Sequence, residues 1–157
     1  MKRWLILGAV ALAALLLVKD ENRPGTDIAK LEPARVLLVE QVTDGVIIST
    51  DLGHSGFGPD LDSTVRDMEA TASGQVFLDT AEFLLISPGA AKWLPELARR
   101  LRSSCQVCIA DGATDLSAAA EYLQTHKPDC RLGDWRKGEA VLPTLYFMEE
   151  RMYLAKP

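Results

Sequence analysis

The alternation of apolar and polar positions from residue 35 onward is that of a folded α/β module. "ARVLLVEQV" (35–43) and "GVIIST" (45–50) are β-branched, apolar runs meeting near Asp44-Gly45. Asp-Gly between two such runs predicts a hairpin. In "DLDSTVRDMEATAS" (60–73), Leu61, Val65 and Met68 fall at i, i+4 and i+7, one face of a helix. "QVFLDT" and "AEFLLIS" (75–87) read as extended, the second as a buried central strand. Ser87-Pro88 predicts a helix start, with the serine capping and the proline in the first turn. The apolar face of that helix is Trp93, Leu94, Leu97 and Leu101. "CQVCIA" (105–110) reads as a strand ending at Asp111-Gly112, and "TDLSAAAEYLQTHK" (114–127) as a helix with Leu116, Ala120 and Leu123 on one face. Residues 128–139 read as loop, and "VLPTLYFMEERMYLA" (141–155) as two strands turning near Glu149-Glu150. The order β-β-α-β-α-β-α-β-β implies an α+β (mixed α/β) fold. Its expected form is one mixed sheet with about three packed helices, over residues 33–157.

A different pattern precedes this. Met1-Lys2-Arg3 is basic, Trp4–Val18 is uninterrupted and apolar, and Lys19-Asp20-Glu21-Asn22-Arg23 ends the run sharply. A basic start before an apolar run marks a targeting segment. As a helix, fifteen residues rise about 22 Å, short of the ~30 Å hydrocarbon core. That length fits either a cleavable signal or a short anchor. Because the small residues Ala11-Leu12-Ala13 lie inside the apolar core and not after it, residues 1–18 read as an uncleaved signal-anchor, with a cleaved signal peptide and secretion, or a buried core helix, as the alternatives. Lys2 and Arg3 favour a cytoplasmic N-terminus and an extracytoplasmic domain, although Lys19 and Arg23 oppose them. The charged stretch 19–32, with its Pro-Gly pair, reads as a tether.

Composition narrows the chemistry. The chain has 157 residues, 48% hydrophobic and 25% charged, enough for one domain, and a formal net charge of -5. That charge repels a nucleic-acid backbone, so no nucleic-acid partner is expected. His54 and His126 lie far apart in sequence and give no basis for a metal cluster.

"DLGHSGFGPDLDST" (51–64) is the stretch that most invites a catalytic reading. A nucleophile elbow needs Gly-x-Ser-x-Gly, but here Gly53-His54-Ser55-Gly56 runs into Phe57, with the second glycine displaced. A dinucleotide loop needs a third glycine where Leu61 stands, and Asp60 and Asp62 would repel a phosphate. The plain reading is a flexible turn into a helix capped by Asp60 or Asp62. Cys105-Gln106-Val107-Cys108 has redox spacing, yet on a strand i and i+3 point to opposite faces. Buried structural thiols are expected, and an envelope thiol–disulfide function using Cys105 and Cys108 is the alternative; Cys130 is free or pairs with one of them. No catalytic residue, cofactor or metal site is expected. Candidate interaction residues are Gly56, Phe57 and Gly58 of the glycine-rich loop, and Arg99, Arg100 and Arg102 near a helix C-terminus, where cations complement the dipole.

Gly56-x-Gly58 runs into the helix carrying Leu61, Val65 and Met68, followed by "SGQVFLDTAEFLLISPGAAKWLPELARRLRSSCQVCIADGATDLSAAAEYL" (73–123). This pattern, over residues 35–125, resembles the N-terminal domain of the spore germinant receptor C-subunit family. The resemblance rests on glycines and hydrophobic patterning and carries no catalytic signature. Members of that family are longer lipoproteins, whereas no lipid-attachment cysteine follows Val18 here. The resemblance implies a reduced, helix-anchored relative: a non-catalytic extracytoplasmic interaction module linked to sporulation or germination. Its implied partners are integral membrane subunits.

Overall fold

The computed structural model describes residues 31–72, 75–112, 115–148 and 151–155, all within the compact unit Leu31–Pro157. The apolar run Trp4–Val18 and residues 19–30 of the tether lie outside the described residues.

The described residues form a mixed α+β fold on one seven-stranded mixed sheet with four helices. The strands are β1 (Leu31–Pro33), β2 (Val36–Val42), β3 (Gly45–Thr50), β4 (Ser55–Gly58), β5 (Gln75–Phe77), β6 (Phe83–Ile86), β7 (Gln106–Asp111), β8 (Thr144–Met148) and β9 (Arg151–Ala155). The helices are α1 (Leu61–Thr71), α2 (Leu94–Arg100), α3 (Leu116–Thr125) and α4 (Leu132–Arg136). The large sheet runs β4-β3-β2-β6-β7-β8-β9. Its four central strands, β2, β6, β7 and β8, are parallel, and an antiparallel neighbour or hairpin flanks them on each side. Strands β1 and β5 form a separate parallel pair, so β1 begins two residues before Pro33, inside the stretch read as tether.

The two faces of the sheet carry separate cores. On one, Leu37, Val39, Ile48, Leu84, Ile86 and Val107 meet Leu61 and Met68 of α1, Leu94 and Leu97 of α2, and Leu132 of α4. On the other, Val36, Leu38, Phe83, Leu85 and Leu145 meet Ala119, Ala120 and Leu123 of α3. All four residues of β6 are buried because helices cover both sides, which is why "FLLI" is a continuous apolar run. Burying each such side chain stabilises by about 1.5–3 kcal/mol.

Helix α3 crosses its face. Near its start the Ser117 hydroxyl donates to the Asp51 carbonyl, and further along the Tyr122 hydroxyl accepts from the Leu154 amide on β9. The Asp51 side chain is buried and gathers the start of β2, accepting from the Arg35 and Val36 amides and from Arg35 Nε.

Several expectations need correction. Ser87 does not cap a helix: its hydroxyl accepts from the Gln41 amide on β2, and Pro88–Trp93 is a 3-10 turn. Pro95 explains this, since it lacks an N–H and sits in the first turn of α2 instead of breaking a helix begun at Pro88. Residues 132–136, read as loop, form α4. Residues 55–58, read as a flexible turn, form edge strand β4. On α1, Thr64 is fully buried and Val65 only half-buried, with the Thr64 hydroxyl 2.7 Å from the Asp60 carbonyl, to which it donates, and 3.3 Å from the Val46 carbonyl. The hairpin at Asp44-Gly45, with Val42 paired to Gly45, matches its expectation, as does the Asp60 cap, which accepts from the Ser63 amide at 2.7 Å.

Candidate functional site

Glycines on β4 face α1 across very little space. A Cβ on Gly56 would lie 2.2 Å from the Thr64 carbonyl oxygen and 2.7 Å from the Met68 amide. One on Gly58 would lie 2.6 Å from the Thr64 amide. The Gly-x-Gly spacing therefore follows the two-residue period of a strand, with both glycines on the face that the helix approaches. Both are buried, which removes them as contact residues. Phe57 points the other way and is 48% exposed, while its amide donates to Asp67 Oδ2 of α1 at 2.9 Å. The left-handed turn falls earlier, at Gly53 (φ +81°). Ser55 opens β4, well before α1, and is not at the strand-to-helix corner that an elbow requires. The Asp60 carboxyl is held below its ordinary value, chiefly by the Ser63 amide and hydroxyl, which favours the ionised cap.

The three arginines do not form one free patch. Arg99 is exposed. Arg100 donates to Asp62 at 2.8 Å and to Glu96 at 2.6 Å, bracing α2 against the start of α1. Partial burial works against its charge, but these carboxylates outweigh it and raise its pKa. Arg102 lies beyond the helix, its Nε donating to the Ala81 carbonyl.

Cys105 and Cys108 are buried, free, and assigned to cores on opposite faces of the sheet. Burial is the main cause that pushes both thiols up to about 12. Cys130 is also free and buried, on the same side as Cys105, and burial raises its thiol pKa. Its carbonyl accepts from the Val107 amide, and the Leu132 amide donates to the Cys105 carbonyl, strapping this segment along β7. Among the described residues, no group of three or more His, Cys, Asp or Glu residues is placed to hold a metal ion.

Residues without a distinguishing sequence signal mark the other sheet margin. Tyr146 and Tyr153 pair across β8 and β9, their rings stacked at 5.0 Å. Tyr153 is 43% exposed and Met148 55%. Tyr146, Tyr153 and Met148 lie outside both hydrophobic clusters. No local motif identifies them, because their exposure depends on which strand ends the sheet.

Among the described residues, no helix is long and apolar enough to cross a membrane. Comparison with protein-family models, curated proteins and solved structures gives no match.

Proposed function

We propose that this chain is a non-catalytic interaction module, anchored by Trp4–Val18 and presenting residues 33–157 outside the cytoplasm. The observation that carries the interaction reading is the apolar surface left at the sheet margins: Phe57 on one side, Tyr153 and Met148 on the other. Isolated exposed apolar residues are ordinary, but the stacked tyrosines and Met148 share one face of a terminal hairpin. Structural roles of residues in and near the glycine-rich stretch support this reading. The glycines admit α1, Asp60 caps it, and Arg100 braces it.

The anchor rests on the sequence pattern of residues 1–23, and partnership with integral membrane subunits on the germinant-receptor resemblance. Fractionation of native-host membranes, with protease added from outside, tests both placement and topology. The chain should resist a carbonate wash and lose its folded unit to the external protease. Release by the wash, or protection from the protease, would contradict the proposal. Co-purification of integral membrane subunits with the full chain tests the partnership, and recovery of the bait alone in every growth and sporulation phase counts against it.

Burial of Cys105 and Cys108 on opposite faces gives the thiol–disulfide alternative no geometric support. Both thiols should resist iodoacetamide at pH 8 in the native protein and react on unfolding. Rapid native alkylation of either would revive the redox reading. Their raised pKa also makes the folded state hold protons that the unfolded state loses. Stability from this source is present below 9.0 and declines as pH rises toward about 12.

A further inference from the structure

Among the described residues, strand β9 ends the sheet with "RMYLA", a run without proline, bulge or inward-pointing charge, in regular register with β8 along all five residues. Those are three of the devices by which edge strands avoid pairing; the ones present are Arg151 at the start of the strand and the Tyr122 hydroxyl over its edge. The Leu154 amide points away from β8, since it donates to the Tyr122 hydroxyl at 3.1 Å. By the alternation of an antiparallel ladder, the Met152 amide two residues earlier points outward as well.

We propose that β9 pairs antiparallel with β9 of a second copy about a twofold axis at Tyr153, and that the Tyr122 hydroxyl competes for this edge. Outward amides at 152 and 154 restrict the register. Only even-numbered residues can form the hydrogen-bonded pairs, and the arrangement that pairs all five residues sets Met152 opposite Leu154 and Tyr153 opposite itself. Every cross-strand pair is then compatible. Met152 meets Leu154 on the α3 side of the sheet. Tyr153 meets its mate on the other, extending each stacked Tyr146–Tyr153 pair into a ladder of four rings. Arg151, the one charge on the strand, faces Ala155 and lies diagonal to the mate's Tyr153 ring, a cation–π position, while the two Arg151 residues stay apart. The twofold register matches apolar with apolar and ring with ring while it keeps the two like charges apart, and this fit selects a second copy over an unrelated strand. A five-residue ladder falls below the ~1,200 Å² of stable interfaces, so the dimer is weak and concentration-dependent. The pairing does not depend on the anchoring proposed above.

Directed cross-linking of the full chain in detergent micelles tests the register. In the proposed dimer Tyr153 occupies a non-hydrogen-bonded pair with Cα atoms about 4.5 Å apart, within disulfide reach. The two Arg151 positions lie four residues apart along the strands, about 13 Å. Under mild oxidation Tyr153→Cys should give a disulfide dimer at least about ten-fold more abundantly than Arg151→Cys, given that separation. Adding Tyr122→Phe, which frees the Leu154 amide of each copy at the cost of one hydrogen bond per copy, should raise the yield about five-fold for each, or roughly 25-fold for the dimer, at sub-saturating protein. Equal cross-linking at 151 and 153 would mean random collision, and none at 153 would mean an unpaired or differently occupied edge. Either result overturns the proposal. A lower yield with Tyr122→Phe would overturn the competing role of its hydroxyl.

Discussion

The two margins of the sheet are finished differently. At the β4 margin, a helix sits so close that only glycine fits beneath it, and the outward Phe57 amide is taken by a carboxylate of that helix. At the β9 margin, one tyrosine hydroxyl reaches the Leu154 amide, and the neighbouring apolar residues Tyr153 and Met148 remain partly in water. The first edge is sealed by backbone packing, which any added atom disrupts. Among the described residues, the second is capped by a neutral hydrogen bond, which in the proposed dimer a second strand replaces. A glycine-rich stretch that looks like functional chemistry is thus part of the seal, whereas an ordinary terminal hairpin offers the more accessible edge.

Substitutions at the two margins should separate them by size of effect. Gly56→Ala puts a Cβ against the Thr64 carbonyl oxygen and the Met68 amide. Since backbone on both sides resists moving, it should destabilise by about 3 kcal/mol in urea unfolding. A loss below about 1 kcal/mol would mean that α1 shifts easily and that the seal is soft. Asp67→Ala removes the acceptor of the Phe57 amide and should cost about 1–2 kcal/mol, with faster exchange of that amide. Tyr122→Phe should cost about 1 kcal/mol or less as monomer, because the freed Leu154 amide at the edge can reach water. Tyr153→Ser, at a 43% exposed position, should remain within about 0.5–1 kcal/mol.

A smaller, pH-dependent difference belongs to the β4 side. The Asp60 carboxyl is held below its ordinary 3.8 while it caps α1. Its contribution is present above the unfolded value and is lost as pH falls through the lower folded value. Asp60→Asn keeps a capping side chain but removes that titration, so the variant's unfolding midpoint should fall less steeply below pH 3.8. An unchanged acid slope would assign acid sensitivity to other carboxylates.

Much of the fold was legible where local pattern and tertiary environment agree. The apolar run of β6 reports burial on both faces, Asp44-Gly45 marks its hairpin, and Asp60 stands one residue before α1. Local pattern misleads where contacts distant in sequence decide. Two glycines in four residues argue against a strand until α1 lies across them. Ser87 resembles a cap, but its hydroxyl accepts from the β2 amide of Gln41. The five-residue α4 carries too few apolar positions to show a helical period. Nothing in "AAEYLQ" announces that Tyr122 will reach β9, because that contact spans 32 positions.

The contrast between the margins is tested most directly by amide hydrogen exchange at Phe57 and Met152 of the full chain in micelles, across a dilution series. The account predicts that Phe57 stays protected at every concentration, held by Asp67. Met152 should exchange freely when dilute and gain protection as the protein is concentrated. Concentration-independent protection at Met152, or protection at Phe57 that rises and falls with concentration, would contradict it.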